Sequence, residues 1–327
     1  KVLFDEAWQR QPEARAYSTR LESLQARERV SQSLLPKPPT LEVAGKAERS
    51  GTNSNFGAGG TREYIVGFAI PLWLIGERSS AMALSDAELQ RLIKQQASLQ
   101  LRLAARIRFL FWEFELAKIN SELAENRLQN AKALSQDVQR RFKAGDLSKA
   151  DFMQAESAVA NSEAALAESQ ANLILAKQNL RSVIGRDITP ELLKPAKQYA
   201  EALPLLPKNF VDLDQSHPVI QDLIAQVEVA TKATALAQAQ TRQNPELQLY
   251  TTSGRPEVGV PTKQSILLGL KIPFGSSDRV QAQRFASRAN QIESEERLVF
   301  ERERVLAELD GSKAQVESAQ IRLTAAK

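Results

Sequence analysis

Apolar positions along the chain follow two periods, and the switches between them mark the elements. From about Ser79 to Lys143 there is no proline. Apolar or small residues recur there at helical spacing: Leu89, Leu92, Leu99, Leu103, Ile107, Leu110, Phe114, Ala117, Ala124, Leu128, Ala131, Val138 and Phe142. From about Ser148 to Ile184 the pattern continues through Phe152, Ala155, Val159, Ser162, Leu166, Ser169, Leu173, Ala176, Leu180 and Val183. Steps of three and four keep one stripe of a helix against a neighbour, as in a coiled coil. Between the runs lies Arg141-Phe142-Lys143-Ala144-Gly145-Asp146-Leu147-Ser148. Gly145 fits the left-handed position that closes a helix. Ser148 fits an N-cap, with Asp151 where a capping box carries its acid. The pattern predicts a hairpin of two long helices, its first arm roughly 95 Å long.

Elsewhere the period is two. Leu41, Val43, Gly45 and Ala47 alternate with Glu42, Ala44, Lys46 and Glu48. Tyr64, Val66, Phe68, Ile70 and Leu72 alternate with Glu63, Ile65, Gly67 and Ala69. The stretch from Ser50 to Thr61 between them is small, polar and glycine-rich, which reads as a loop. Each run is near the length of a barrel strand tilted across a bilayer. Alternation alone favours a soluble hairpin with one buried face over a barrel strand. Pro71 and Gly76 end the second strand. Residues 1–34 read as one helix, started by Asp5, Glu6 and Ala7 and interrupted early by Pro12. Its apolar face is Ala14, Tyr17, Leu21, Leu24 and Val30, and Pro36, Pro38 and Pro39 stop it. After the hairpin, Pro190, Pro195, Pro204 and Pro207 fall in an irregular connector. A new helix runs from Pro218 to about Arg242, and Pro245 breaks it.

The second half repeats the first. Pro12-Glu13-Ala14 corresponds to Pro218-Val219-Ile220, and Pro39-Thr40-Leu41-Glu42-Val43 to Pro245-Glu246-Leu247-Gln248-Leu249, both at an offset of 206. Past the loop the offset becomes 202, with Val66 to Leu72 matching Leu268 to Phe274. A turn-rich loop, Ser253 to Lys263, separates the second pair of strands. A long helix follows from about Asp278, with Arg279 placed like Arg78. The expected organisation is a first repeat at 1–184, an equatorial connector at 185–217 and a second repeat at 218–327. Lys327 corresponds to roughly Glu125, so about 60 further residues would complete the second copy. The start at Lys1 reads as a mature or trimmed chain.

Composition narrows the function. The 43 basic and 39 acidic residues, net charge +4, are interspersed as a solvated surface rather than gathered into a nucleic-acid patch. With no cysteine, disulfides, thiolate catalysis and cysteine metal sites are excluded. No apolar run reaches the length of a membrane helix; the strongest, Tyr64 to Ile75, is too short. No constellation of catalytic residues or phosphate loop is present, so no enzyme activity and no cofactor are expected. His217, the one histidine, reads as a helix-start residue before Pro218. Met82 and Met153 read as packing.

Three features together resemble the TolC family of outer-membrane efflux proteins, over essentially the whole chain. They are the order of elements, the G-x-x-I-P-L/F strand ends (Gly67 to Leu72 and Gly269 to Phe274), and the R-F-x-A-G-D-L-S-x-x-D-x-x-x-A-E turn from Arg141 to Glu156. The Asn244-Pro245-Glu246-Leu247 segment and the short connector look like the CzcC-type heavy-metal branch. The resemblance implies a mostly α fold with a membrane β-barrel. Each unit would be a duplicated helix–strand–strand–helix, assembled as a homotrimer with a twelve-stranded β-barrel and a long α-helical barrel. It further implies outer-membrane lipid around the barrel, extension into the periplasm, a periplasmic adaptor (membrane fusion) protein and an inner-membrane pump of the resistance-nodulation-division type.

On that reading the function is a passive exit duct for heavy-metal cations, or alternatively a multidrug efflux or type I secretion duct. An elongated periplasmic coiled-coil structural or adaptor protein would explain the heptads but not the paired strands. The resemblance places adaptor docking at Gly145, Asp146, Leu147 and Ser148, where a side chain on Gly145 would disturb both the turn and close packing. Asp137, Asp146 and Asp151 are candidate lumen or aperture acids, each tripled into a ring by the trimer. Gly67, Pro71, Gly269 and Pro273 are the strand-to-helix junctions. Ile266, Leu268, Leu270 and Ile272 would face lipid, and Ser265, Leu267, Gly269 and Lys271 the lumen. Tyr64, Trp73 and Tyr250 are candidate interface aromatics.

Overall fold

The computed structural model describes residues 2–47, 62–187, 213–255, 261–275 and 277–326. The described elements are α1 (Val2–Arg10), α2 (Pro12–Gln32), β1 (Thr40–Ala47), β2 (Arg62–Pro71), α3 (Glu77–Lys143), α4 (Lys149–Ile184), α5 (Leu213–Ser216), α6 (Pro218–Ala239), β3 (Glu246–Arg255), β4 (Lys263–Lys271) and α7 (Ser277–Ala325). The glycine-rich stretch 50–61 and the prolines at 190, 195, 204 and 207 lie outside the described residues. The 1–34 helix is two helices. Pro12 cannot supply a helical N–H, so it opens α2, and the Arg15 N–H bonds back to the Gln11 carbonyl at 3.2 Å. The helix expected to reach Arg242 stops at Ala239, where the Gln240 N–H closes it on Leu236. The expected 253–263 loop is shorter, because Ser253 to Arg255 complete β3 and Lys263 begins β4.

The described chain forms two compact units, Lys1–Tyr17 with Gln96–Val211, and Ser18–Gln95 with Asp212–Lys327. They divide the chain differently from the sequence repeats. In the first, α3 and α4 form the antiparallel hairpin. Its core joins Leu110 and Phe114 to Ala176, Leu180 and Ile184. At the last turn of α4 the buried residue is Ile184 rather than Val183, which is only partly covered. A 3.6-residue helix drifts against a 3.5-residue pattern, so a seam extrapolated over ten turns slips by one. Ala7 of α1 is fully buried beside Leu103 and Ile107. Arg10 donates to the Gly185 carbonyl at 2.9 Å, and Glu6 pairs with Arg186 at 2.9 Å.

In the second unit the strands form one antiparallel sheet in the order β1-β2-β3-β4. The middle pairing, β2 with β3, joins the two repeats, with Val66 opposite Thr251. Helices α6 and α7 pack through Val219, Ile220, Leu223, Leu298 and Val305. Burying Ile220 completely contributes about 2 kcal/mol. Arg284 of α7 donates to the carbonyls of Ala237 and Gln238, satisfying the open end of α6. His217 is the N-cap of α6 without a side-chain cap bond. Burial pushes its imidazole below the ordinary histidine range, against an opposing pull from Glu308. Among the described residues no helix is long and apolar enough to cross a membrane.

Candidate functional site

The hairpin tip is built from two complementary caps. At the end of α3 the Asp146 N–H bonds to the Arg141 carbonyl at 2.9 Å, and the Gly145 N–H to Phe142 at 3.0 Å. These are the two bonds of a Schellman motif, and Gly145 has φ 87°, where a side chain is strained. An added Cβ would meet nothing within 4 Å, so only the turn, not close packing within the chain, requires this glycine. At the start of α4, Ser148 Oγ accepts the Asp151 N–H at 3.2 Å, and Asp151 Oδ2 accepts the Ser148 N–H at 3.0 Å and its hydroxyl at 2.7 Å. The aspartate thus completes the box despite its short side chain. Phe142 and Phe152 stack at 5.5 Å across the two arms.

The three tip acids have different surroundings. Asp137 faces Arg140 at 3.3 Å. Asp151 is held by the cap, and the Ser148 hydroxyl and N–H keep its carboxyl below the ordinary aspartate range. Asp146 is exposed, and among the described residues no neighbour engages its carboxylate. Because Asp151 is depressed on folding, its contribution is complete above the ordinary carboxylate range and is lost as pH falls through its lowered value. Amide protection at Ser148 and Asp151 should therefore stay level from neutral pH to about 5 and decay only in stronger acid; Asp151→Ala should abolish that response. Gly145→Ala should lower protection at the tip amides by about 1 kcal/mol, read by the same hydrogen exchange.

The sheet is apolar on its open face. Directly paired residues share a face in an antiparallel sheet. One face therefore collects Leu41 and Val43 with Val66 and Phe68, Leu247 and Leu249, and Ile266, Leu268 and Leu270. Val43 is 71% exposed and Ile266 79%. The other face carries Glu42, Lys46, Glu63, Gln248, Tyr250, Thr252 and Ser265. There the ring of Tyr250 lies across Gly67, and its hydroxyl donates to Glu42 Oε2 at 2.6 Å, two strands away. Gly67 thus sits inside β2 under a ring, not at the strand end where the sequence placed it. Gly269 likewise lies within β4. Pro71 is the last residue of β2 and is buried. Pro273 follows β4.

Just after β2 and just before β3 the chain closes a joint around Glu77, only 3% exposed. Its Oε2 accepts the Leu74 N–H at 3.1 Å and Asn244 Nδ2 at 2.6 Å, and its Oε1 accepts Gln240 Nε2 at 2.8 Å. Asn244 also donates to the Leu72 carbonyl, and the Leu72 N–H donates to Pro245. Trp73 donates its indole N–H to Ser33 at 3.2 Å. The carboxylate thus ties the first repeat's entry into α3 to the second repeat's entry into β3. Sequence reading missed it, since Gln240 is 163 positions away; the sole local signal was an acid directly after Gly76.

The sequence profile of the outer membrane efflux protein family matches residues 3–186. The chain belongs to that family. A sequence search of curated proteins finds no match. Among solved structures, the outer membrane protein VceC of Vibrio cholerae is similar over 94% of this chain and 76% of its own, at 18% identity and a TM-score of 0.64. The CmeC outer membrane channel of Campylobacter jejuni is similar over 94% and 68%, at 13% and 0.65. The open-state MtrE outer membrane channel of Neisseria gonorrhoeae is similar over 89% and 67%, at 17% and 0.61. At these identities the likeness shows the fold, a helical barrel joined to a β-barrel.

As a family member the chain is an outer-membrane channel reaching into the periplasm, and it is not an enzyme. In an outer-membrane channel the apolar face is the one suited to lipid and the polar face the one suited to a lumen. Tyr64 lies on the apolar face and remains in keeping with an interface aromatic. Tyr250 does not, because it belongs to the polar face. Trp73 is half-buried and engaged with Ser33. A second stripe also emerges on α3. Phe109, Trp112, Leu116, Ile119 and Leu123 are exposed at steps of three and four, on a different face from the α4 seam. The reading of a single seam overlooked them, although their spacing was available.

Proposed function

We propose that this channel is the exit duct of a tripartite efflux system. It is a homotrimer in which each copy gives four strands to one twelve-stranded barrel, and it docks on a periplasmic adaptor and an inner-membrane pump of the resistance-nodulation-division type. The observation that carries this reading is the four-stranded sheet with an apolar exposed face and two open edges, β1 and β4. An open sheet edge leaves unpaired backbone groups, which lipid cannot satisfy; sharing a barrel among copies removes both edges. The second apolar stripe on α3 supports closure among helices in the same way. On this reading the pump supplies the energy.

The tip Gly145, Asp146, Leu147 and Ser148 meets the adaptor. Of the candidate aperture acids, Asp146 is the one whose carboxylate is open to form a ring of three, whereas Asp137 and Asp151 serve Arg140 and the cap. The cargo we propose is a heavy-metal cation, supported by the Asn244 to Leu247 segment and by a ring of acids that attracts cations. Deleting the gene and testing tolerance decides the cargo. Loss of zinc, cobalt or cadmium tolerance with unchanged drug tolerance supports the metal reading; drug sensitivity with unchanged metal tolerance rejects it.

A further inference from the structure

The pairing between the two repeats inside one chain is a template for the pairing between copies. The sequence offsets move β2 onto β4 by adding 202 and β3 onto β1 by subtracting 206. Within the chain, Gly67 is opposite Tyr250, Phe68 opposite Leu249 and Ala69 opposite Gln248. We infer that β4 of one copy pairs antiparallel with β1 of a second copy in the transposed register: Gly269 opposite Ala44, Leu270 opposite Val43, and Lys271 opposite Glu42 of the second copy. This rests on the closed-ring reading above and adds its register.

Two properties of the transposed register are independent of the offsets that define it. It places apolar Leu270 beside apolar Val43 on the lipid face, and cationic Lys271 beside anionic Glu42 on the polar face. A slip of one residue would set Lys271 against Val43 or Leu41 and turn every side chain of one strand to the wrong face. Opposite charges across a pair stabilise it, and the slipped pairing has no such term.

The same transposition describes the joint beyond the strands, and there the two interfaces differ. The Leu72 N–H to Pro245 bond becomes Phe274 N–H to Pro39 of the second copy. Gln240 and Asn244, the amides that clamp Glu77, become Leu34 and Pro38. Leu34 is 83% exposed and Phe274 85%. The joint between copies therefore lacks the amide pair that clamps Glu77 within the chain, and it sets exposed Phe274 and Leu34 at that end of the strands.

The chain has no cysteine, so engineered pairs report cleanly. Directly opposed strand residues lie within disulfide reach. Ala44→Cys with Gly269→Cys suits the test, because a Cβ at Gly269 meets nothing closer than 3.8 Å. Oxidising this double variant in detergent should give covalent dimers and trimers on denaturing gels, as should Val43→Cys with Leu270→Cys on the other face. Ala44→Cys with Ser265→Cys, displaced by four residues or about 13 Å, should remain monomeric. If the unmutated protein is trimeric by native mass spectrometry but both in-register pairs fail to link, or the displaced pair links, the register is overturned while the ring stands. If the unmutated protein is monomeric, the ring falls and the register with it.

Discussion

Gly67→Ala is expected to destabilise the sheet by about 3 kcal/mol, the upper range for overpacking a filled site. The alanine Cβ would lie 2.1 Å from Tyr250 Cδ1 and 2.5 Å from the backbone oxygen of Leu249. The ring could swing away only by surrendering its bond to Glu42, which joins β1 to β3 across β2. The carbonyl can move only with its strand, and β2–β3 is the pairing that joins the repeats. Gly67→Ala with Tyr250→Ala should therefore recover part of the loss and not all. Gly269→Ala is the internal control. Its Cβ has ordinary room, so it should be neutral or stabilising by about 0.5 kcal/mol through reduced freedom of the unfolded chain. Thermal unfolding in detergent, followed by circular dichroism, separates the three. Equal midpoints for Gly67→Ala and Gly269→Ala would mean that the ring does not occupy the glycine site.

Glu77→Ala is the second large effect, also about 3 kcal/mol, because one buried and two half-buried donors lose their acceptor together. The donors are the Leu74 N–H and the amides of Gln240 and Asn244. Glu77→Gln should cost far less, about 1 kcal/mol. Its carbonyl can serve Leu74 and Asn244, and Gln240 can turn its amide to accept from the new NH2. A large gap between these two variants marks a hydrogen-bond clamp; equal losses would mean that net charge rather than donor pairing holds the joint. Hydrogen exchange should locate the damage of Glu77→Ala in residues 72–77 and 240–246, leaving the hairpin tip protected.

How far the sequence carries differs by element, for physical reasons. The hairpin arms, the turn at Gly145 and the box at Ser148 follow from local rules: helical period, a residue able to adopt positive φ, and an acid three places after a serine. The strands and their lipid-like face were equally readable, since alternation fixes which residues share a face. What local rules cannot supply is register between distant segments. Residue type alone makes Tyr250 a candidate interface aromatic, yet its place opposite Gly67 sets it on the polar face. Glu77 and Asn244 meet only when the two repeats pair. At the tip, sequence sets apart only Asp151, by its place in the box. Hydrogen bonds then distinguish a cap, an ion-pair partner and an exposed carboxylate.

On the proposed function, one face of the sheet meets lipid and the other a water-filled lumen. Single cysteines at Val43, Val66, Leu249 and Ile266, and at Lys46, Glu63, Gln248 and Ser265, test it in proteoliposomes. Fluorophores at the first four should be quenched by doxyl lipids, and a membrane-impermeant maleimide should label the second four. Uniform labelling of all eight by the impermeant reagent, with no lipid quenching at the first four, would contradict it.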